Sequence, residues 1–211
     1  MSTDGAAGGE AVEIASMLGP VHCRWHAGAG PSAVIMVGGG DGGFDGPAEA
    51  LYPTLASDLN ELGIGALRLD FRIHRFPGPI EDGVLDVCAG IEALARRGIE
   101  RIGLLGHSFG GAVVIEAAAR EPERVTSVAT LASQTAGALR VGELAPRPIL
   151  LVHGMDDTRL PAACSEMLFE RAGEPRRLEL LEGATHSLRQ RREDVRRMLV
   201  EWFGRTLRTS A

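Results

Sequence analysis

The chain has 211 residues, with 22 basic and 28 acidic side chains and a formal net charge of −6. That length fills one core and is short for two, and the acidic balance argues against a nucleic-acid surface, which needs a basic face to neutralise phosphate. All 22 basic residues are arginine, which excludes lysine Schiff-base chemistry, pyridoxal phosphate attachment and a P-loop lysine.

Met1–Ala11 is small and polar, with neither a basic n-region nor an apolar h-region, and reads as a flexible tail ahead of a single domain over residues 12–211. No run approaches the roughly 18 apolar residues of a membrane span, so a cytoplasmic protein with no membrane partner is expected. The abundance of alanine and glycine suggests a GC-rich bacterial coding sequence. Short apolar runs then alternate with helical patterns, the signature of an α/β fold with a mostly parallel sheet covered on both faces. The expected strands are Val12–Met17, Val21–Trp25, Ala33–Val37, Gly65–Leu69, Arg101–Leu105, Val125–Leu131, Ile149–Val152 and Arg176–Leu181. The expected helices are Ala48–Leu62, Ile80–Arg97, Phe109–Arg120, Pro161–Ala172 and Glu193–Thr206. The gap between the first two strands is too short for a crossover, so these two form an antiparallel hairpin at the sheet edge. Basic residues within Arg189–Arg197 are interrupted by acids and read as a solvated helix face.

The third strand runs into a glycine-rich loop, "VGGGDGGFDGP", Val37–Pro47. Gly38, Gly40 and Gly43 match the dinucleotide-binding spacing, but the strand-end acid Asp70 lies well beyond the roughly 20 residues at which a ribose-binding carboxylate is expected. The competing reading has backbone N–H groups of this loop receiving the oxyanion of an attacked carbonyl.

After the fifth strand comes "GHSFGG", Gly106–Gly111, followed by a helix. G-x-S-x-G between a strand and a helix is the setting of a nucleophile elbow that exposes Ser108; a serine N-cap flanked by packing glycines is the plainer alternative. A serine hydroxyl needs a base, and the base needs an acceptor. "HGMDDTRLP" offers Asp156 or Asp157 after the seventh strand, and "EGATHSL" offers His186 after the eighth. The order Ser, Asp, His, on loops at strand C-termini, is the one such a sheet uses. His107 and His153 adjoin these motifs, and His22, His26 and His74 have no partner pattern.

With these three motifs in order, the chain resembles the α/β-hydrolase superfamily over essentially residues 12–208, and within it the compact, capless forms similar to dienelactone-hydrolase-like and small esterase members. Residues 131–148 leave no room for a cap. The resemblance implies a serine hydrolase cleaving a carboxylic ester or related acyl bond of a small-molecule substrate through an acyl-enzyme, with no cofactor and no metal. By the pattern H-G-x-x-D-x-x-x-P it assigns the acid to Asp157, beside Ser108 and His186, and makes His107 and His153 residues that order their loops. It implies an oxyanion hole from the N–H groups of Gly40, or its neighbour Asp41, and Phe109. Acyl transfer, thioester cleavage, a lyase or isomerase reaction and a non-catalytic binding role remain as alternatives.

Two side features complete the reading. Asp41 should point away from the hole and cap the turn Gly42–Gly46, since a carboxylate aimed inward would repel the oxyanion; it is otherwise a substrate-binding candidate. "LRLDFRIHRFPGP" places Asp70, Arg72, His74 and Arg75 at the same sheet edge. Arg72 and His74 could recognise a substrate carboxylate, and an internal Asp70–Arg72 ion pair is the plainer expectation. Cys23, Cys88 and Cys164 lack metal-site spacing and read as reduced structural thiols.

Overall fold

The structure is a computed structural model describing residues 8–74 and 78–208. Strands β1 (Glu10–Ser16), β2 (Gly19–His26), β3 (Ser32–Val37), β4 (Gly65–Leu69), β5 (Arg101–His107), β6 (Val125–Leu131), β7 (Ile149–Gly154) and β8 (Arg176–Leu181) form one sheet in the order β1-β2-β4-β3-β5-β6-β7-β8. Pairing is parallel from β4 through β3 to β8, and antiparallel at β1–β2 and β2–β4. The expected edge hairpin is therefore present. It starts earlier than expected: Glu10 and Ala11, assigned to a tail, pair with Trp25 and Arg24.

Helices α1 (Pro47–Glu61) and α5 (Arg192–Thr206) cover one face, and α2 (Ile80–Arg96) and α3 (Phe109–Arg120) the other, with α4 (Ala163–Arg171) joining the second layer. Strand β3 shows why its sequence is apolar without alternation. Ala33, Ile35 and Val37 pack toward α2 and α3, while Val34 and Met36 pack toward α1 and α5. Both faces are dry, as parallel sheets require.

Two expectations change. Ala48, Glu49 and Ala50 have φ of 55°, 56° and 63°, so the right-handed part of α1 starts at Leu51 and not at Ala48. Pro53 then falls in a first turn, where its missing N–H leaves no intrahelical bond unmade. The arginine-rich face of α5 is only partly solvated, because Arg196 grips both oxygens of Asp58 on α1 at 2.8 Å. Residues 132–148 between β6 and β7 hold a single short 3₁₀ turn, Val141–Leu144, and no cap. All three cysteines are free, and burial pushes Cys23 up to about 12. Among the described residues no helix is long and apolar enough to cross a membrane.

The hairpin, the loop after β4 and α2 are tied together by Arg72. Its Nε and backbone N–H donate to the two oxygens of Asp86, and Nη1 reaches the Leu18 carbonyl at 3.0 Å. Asp86 is 2% exposed and Arg72 13%. Removing one partner of so enclosed a pair costs about 3 kcal/mol or more. Asp86→Ala should lower the unfolding free energy by that order in urea titrations; a loss under about 1 kcal/mol would mean that water screens the pair.

Candidate active site

Strands β3 and β5 are neighbours, yet the chain leaves β3 toward β4 on one side and reaches β5 by crossing back. The loops after these two strands therefore part, and open parallel sheets place ligands in that crevice. Ser108 sits there, between β5 and α3, with φ 55° and ψ −117°. Such a backbone is strained for any residue with a Cβ. It is held by Ser108 N–H donating to the Leu131 carbonyl at 2.9 Å and by Gly111 N–H donating to the Ser108 carbonyl at 3.0 Å. A Cβ at Gly106 would run into the Gly110 carbonyl, and one at Gly110 into the Gly38 carbonyl. The motif's glycines thus let three backbone segments close on one another, and the N-terminus of α3, with its partial positive charge, stands behind the serine.

His186 and Asp157 reach Ser108 from the loops after β8 and β7. His186 Nε2 lies 3.1 Å from Ser108 Oγ, and Nδ1 lies 2.7 Å from Asp157 Oδ2. The Asp157 carboxylate has no solvent exposure. Its Oδ1 accepts the N–H groups of Arg159 and Leu160, each at 2.9 Å. Burial opposes its charge, but the Leu160 N–H, His186 and the Arg159 N–H outweigh burial and hold the carboxyl below its ordinary range. Asp156 is exposed beside it, its N–H bound to the Ala184 carbonyl. Of the two adjacent acids, Asp157 is the one in contact with His186.

Two further histidines brace this chain. His153 Nε2 lies 3.0 Å from the Leu160 carbonyl and 3.2 Å from Asp157 Oδ2, both acceptors, so that nitrogen carries the proton; Nδ1 then accepts from Ser165 Oγ at 2.6 Å. By the same logic His107 Nε2 donates to the His186 carbonyl at 3.0 Å. Desolvation lowers both, His107 to about 4, so both are neutral near pH 7. Sequence spacing places these histidines next to the motifs, whereas Ser165, on α4, carries no local sign of its role.

The glycine loop lies alongside. A Cβ at Gly39 would stand 3.6 Å from Ser108 Cβ, so the Gly38–Gly40 stretch flanks the serine, and Phe109 opens α3 immediately after it. Asp41 is exposed on the turn, and the carboxylate that bonds the loop is not Asp41 but Asp70, whose Oδ1 accepts Gly43 N–H. The expected Asp70–Arg72 pair does not form: Asp70 pairs with His74 at 2.7 Å and Arg72 with Asp86. The Arg72 guanidinium is engaged by Asp86 and by the Leu18 and Asp82 carbonyls, contacts within the fold. His74 is half-exposed at the loop's edge, and Arg75 lies outside the described residues. Among the described residues no group of three or more His, Cys, Asp or Glu side chains is placed to hold a metal ion.

Comparison with known proteins agrees with this architecture. The curated protein YfhR of Escherichia coli, described as uncharacterized, is 29% identical over 172 residues, covering 68% of this chain; the chain spans 60% of that relative's length. Among solved structures, dienelactone hydrolase from Anabaena variabilis superposes with a TM-score of 0.81 at 20% identity, covering 94% of this chain and 98% of that one. XC6422 from Xanthomonas campestris, described as a serine hydrolase without a lid, gives 0.77 at 19% identity, covering 96% of each chain. These two likenesses speak for the fold. A family model described as the alpha/beta hydrolase fold matches residues 33–146, from β3 to the approach to β7 and so across the glycine loop and the elbow; with more than half of its length matched, the chain belongs to the α/β-hydrolase fold family.

Proposed function

We propose that the protein is a serine hydrolase cleaving a carboxylic ester or related acyl bond of a small molecule. The observation that carries this reading is the unbroken hydrogen-bond chain from Ser108 Oγ through His186 to Asp157. A dienelactone hydrolase and an esterase domain of a Rhodothermus marinus protein among the structural neighbours lend it support by analogy. In this reading Ser108 Oγ attacks the carbonyl carbon while His186 Nε2 takes its proton. Asp157 keeps Nδ1 protonated and faces the imidazolium that forms. The N–H groups of Gly40 and Phe109 receive the oxyanion, and collapse expels the alcohol with the proton from His186. Water repeats the sequence and releases the acid.

Three measurements test it. Ser108→Ala should abolish both ester turnover and fluorophosphonate labelling with the thermal midpoint within a few degrees of the parent; labelling that persists at another serine would sink the assignment. Labelling of the parent without turnover on a panel of acyl esters would instead favour a binding or transfer role.

The two adjacent acids should separate sharply. Asp157→Asn deprives His186 of the acceptor that fixes its tautomer and should lower kcat by about 10⁴. Asp156→Asn should stay within about tenfold; the reverse ranking would move the acid to Asp156.

Gly40→Val should crowd the acyl group and tilt the N–H, costing about 100- to 1,000-fold in kcat, the usual effect of losing one oxyanion donor. Full activity in Gly40→Val would place the donor elsewhere on the loop.

A further inference from the structure

The glycine loop after β3 has few side chains with which to hold itself. Gly42 N–H donates to the Gly39 carbonyl at 3.1 Å, and Gly42 and Gly43 take φ of +69° and +87°. Those angles suit glycine, which is also the residue that loses most freedom on ordering. Within Gly38–Gly43 that turn bond is a weak restraint, and the bonds from Tyr52 and Arg68 hold the loop only at its ends, at Val37, Phe44 and Asp45.

The restraint comes from the next strand. Asp70 directly follows β4, and its own N–H is bound to the His22 carbonyl at 3.0 Å, which fixes it to the sheet. Its Oδ1 accepts Gly43 N–H at 2.5 Å and meets His74 Nε2 at 2.7 Å. Carboxylate and ring press directly on Gly42: a Cβ there would stand 2.6 Å from Asp70 Oδ1 and would also collide with His74 Nε2. At the other end of the same turn, Gly39 lies against Ser108. The loop is therefore pinned at Gly43, and the short turn Gly39–Gly42 carries that restraint to the backbone beside the serine.

We infer that Asp70, with His74 as its outer partner, is a positioning residue that fixes the backbone N–H of the Gly38–Gly43 loop for the oxyanion. The inference rests on the acyl-hydrolysis reading above. Asp70 does not touch substrate. Its oxygen engages two donors, and its contribution is geometric: a loop tethered by a charge-assisted hydrogen bond presents its N–H before the oxyanion forms, so the effect falls on the transition state and not on substrate binding.

The test compares Asp70→Ala, Asp70→Asn and His74→Ala with the parent, using p-nitrophenyl acetate and an aryl trifluoromethyl ketone, which adds to the serine as a hemiketal bearing an oxyanion. Asp70→Ala should lower kcat by about tenfold or more with KM within about twofold, and should weaken the ketone by the same factor. Asp70→Asn keeps an oxygen for Gly43 N–H and should recover kcat to within about threefold of the parent. His74→Ala, at a side chain 46% exposed, should fold normally and lose about threefold in kcat. An Asp70→Ala protein with parental kcat and ketone affinity overturns the inference, as does an Asp70→Asn protein as impaired as Asp70→Ala. Should Asp70→Ala not fold, the asparagine and His74 variants decide by the same readouts. A parent that neither turns over the ester nor binds the ketone defeats the hydrolysis reading and this inference together, a failure distinct from an active parent indifferent to Asp70.

Discussion

A carboxylate removed from solvent must be surrounded by donors, and the arrangement around Asp157 follows from that requirement. An unpaired charge in such a place would cost several kcal/mol, so the chain brings four donors to it. Two are backbone N–H groups of its own loop, one is His186 and one is His153. Together the four contacts immobilise three segments: the loop after β7, the loop after β8, and through Ser165 the start of α4. The geometry that makes the acid stable is thus the geometry that orients the histidine, and displacing either loop strips a donor from the buried carboxylate.

The second constraint is steric. At the crevice between β3 and β5, the carbonyl of Gly38, the elbow and the first turn of α3 approach so closely that Gly106 and Gly110 leave no space for a Cβ. The strained dihedrals of Ser108 persist because this packing over-determines them. One consequence is that Ser108 and the neighbouring glycine loop share one rigid contact, so their spacing is set by backbone and not by rotamers. His107 extends the contact to the third loop by holding the His186 carbonyl.

The sequence made legible what depends on local pattern and chain order. Alternating apolar and helical runs located the eight strands and five helices, because a sheet buried on both faces leaves its mark on every strand. The elbow motif is visible because close backbone approach demands glycine at fixed offsets, and His186 and the pair Asp156–Asp157 because each follows a strand end, whereas the choice of Asp157 between the two acids rests on the family pattern. What escaped depends on contacts across the fold. The Asp70–Arg72 pair was inferred from nearness along the chain, but Arg72 finds Asp86 on α2 and Asp70 finds Gly43 and His74. Ser165 lies 12 residues from His153 with no periodicity linking them. The left-handed Ala48–Ala50 turn contains no glycine to announce it.

The flanking histidines also bear on the charge that the proposed reaction creates. When His186 takes the serine proton, the site acquires a positive imidazolium in a poorly solvated place, where neighbouring cations would raise the barrier. His107 packs against it with ring centroids 4.9 Å apart, and His153 shares its carboxylate. Were either ionised, it would repel the new charge at short range and compete for Asp157. Desolvation keeps both neutral near pH 7, while each still donates one N–H to fix a loop. Imidazole suits both places for that reason: it supplies a rigid hydrogen-bond donor that burial renders uncharged, which an arginine at the same position, always protonated, would not do. The inner site then carries a single formal charge, that of Asp157, and the imidazolium forms facing it unopposed.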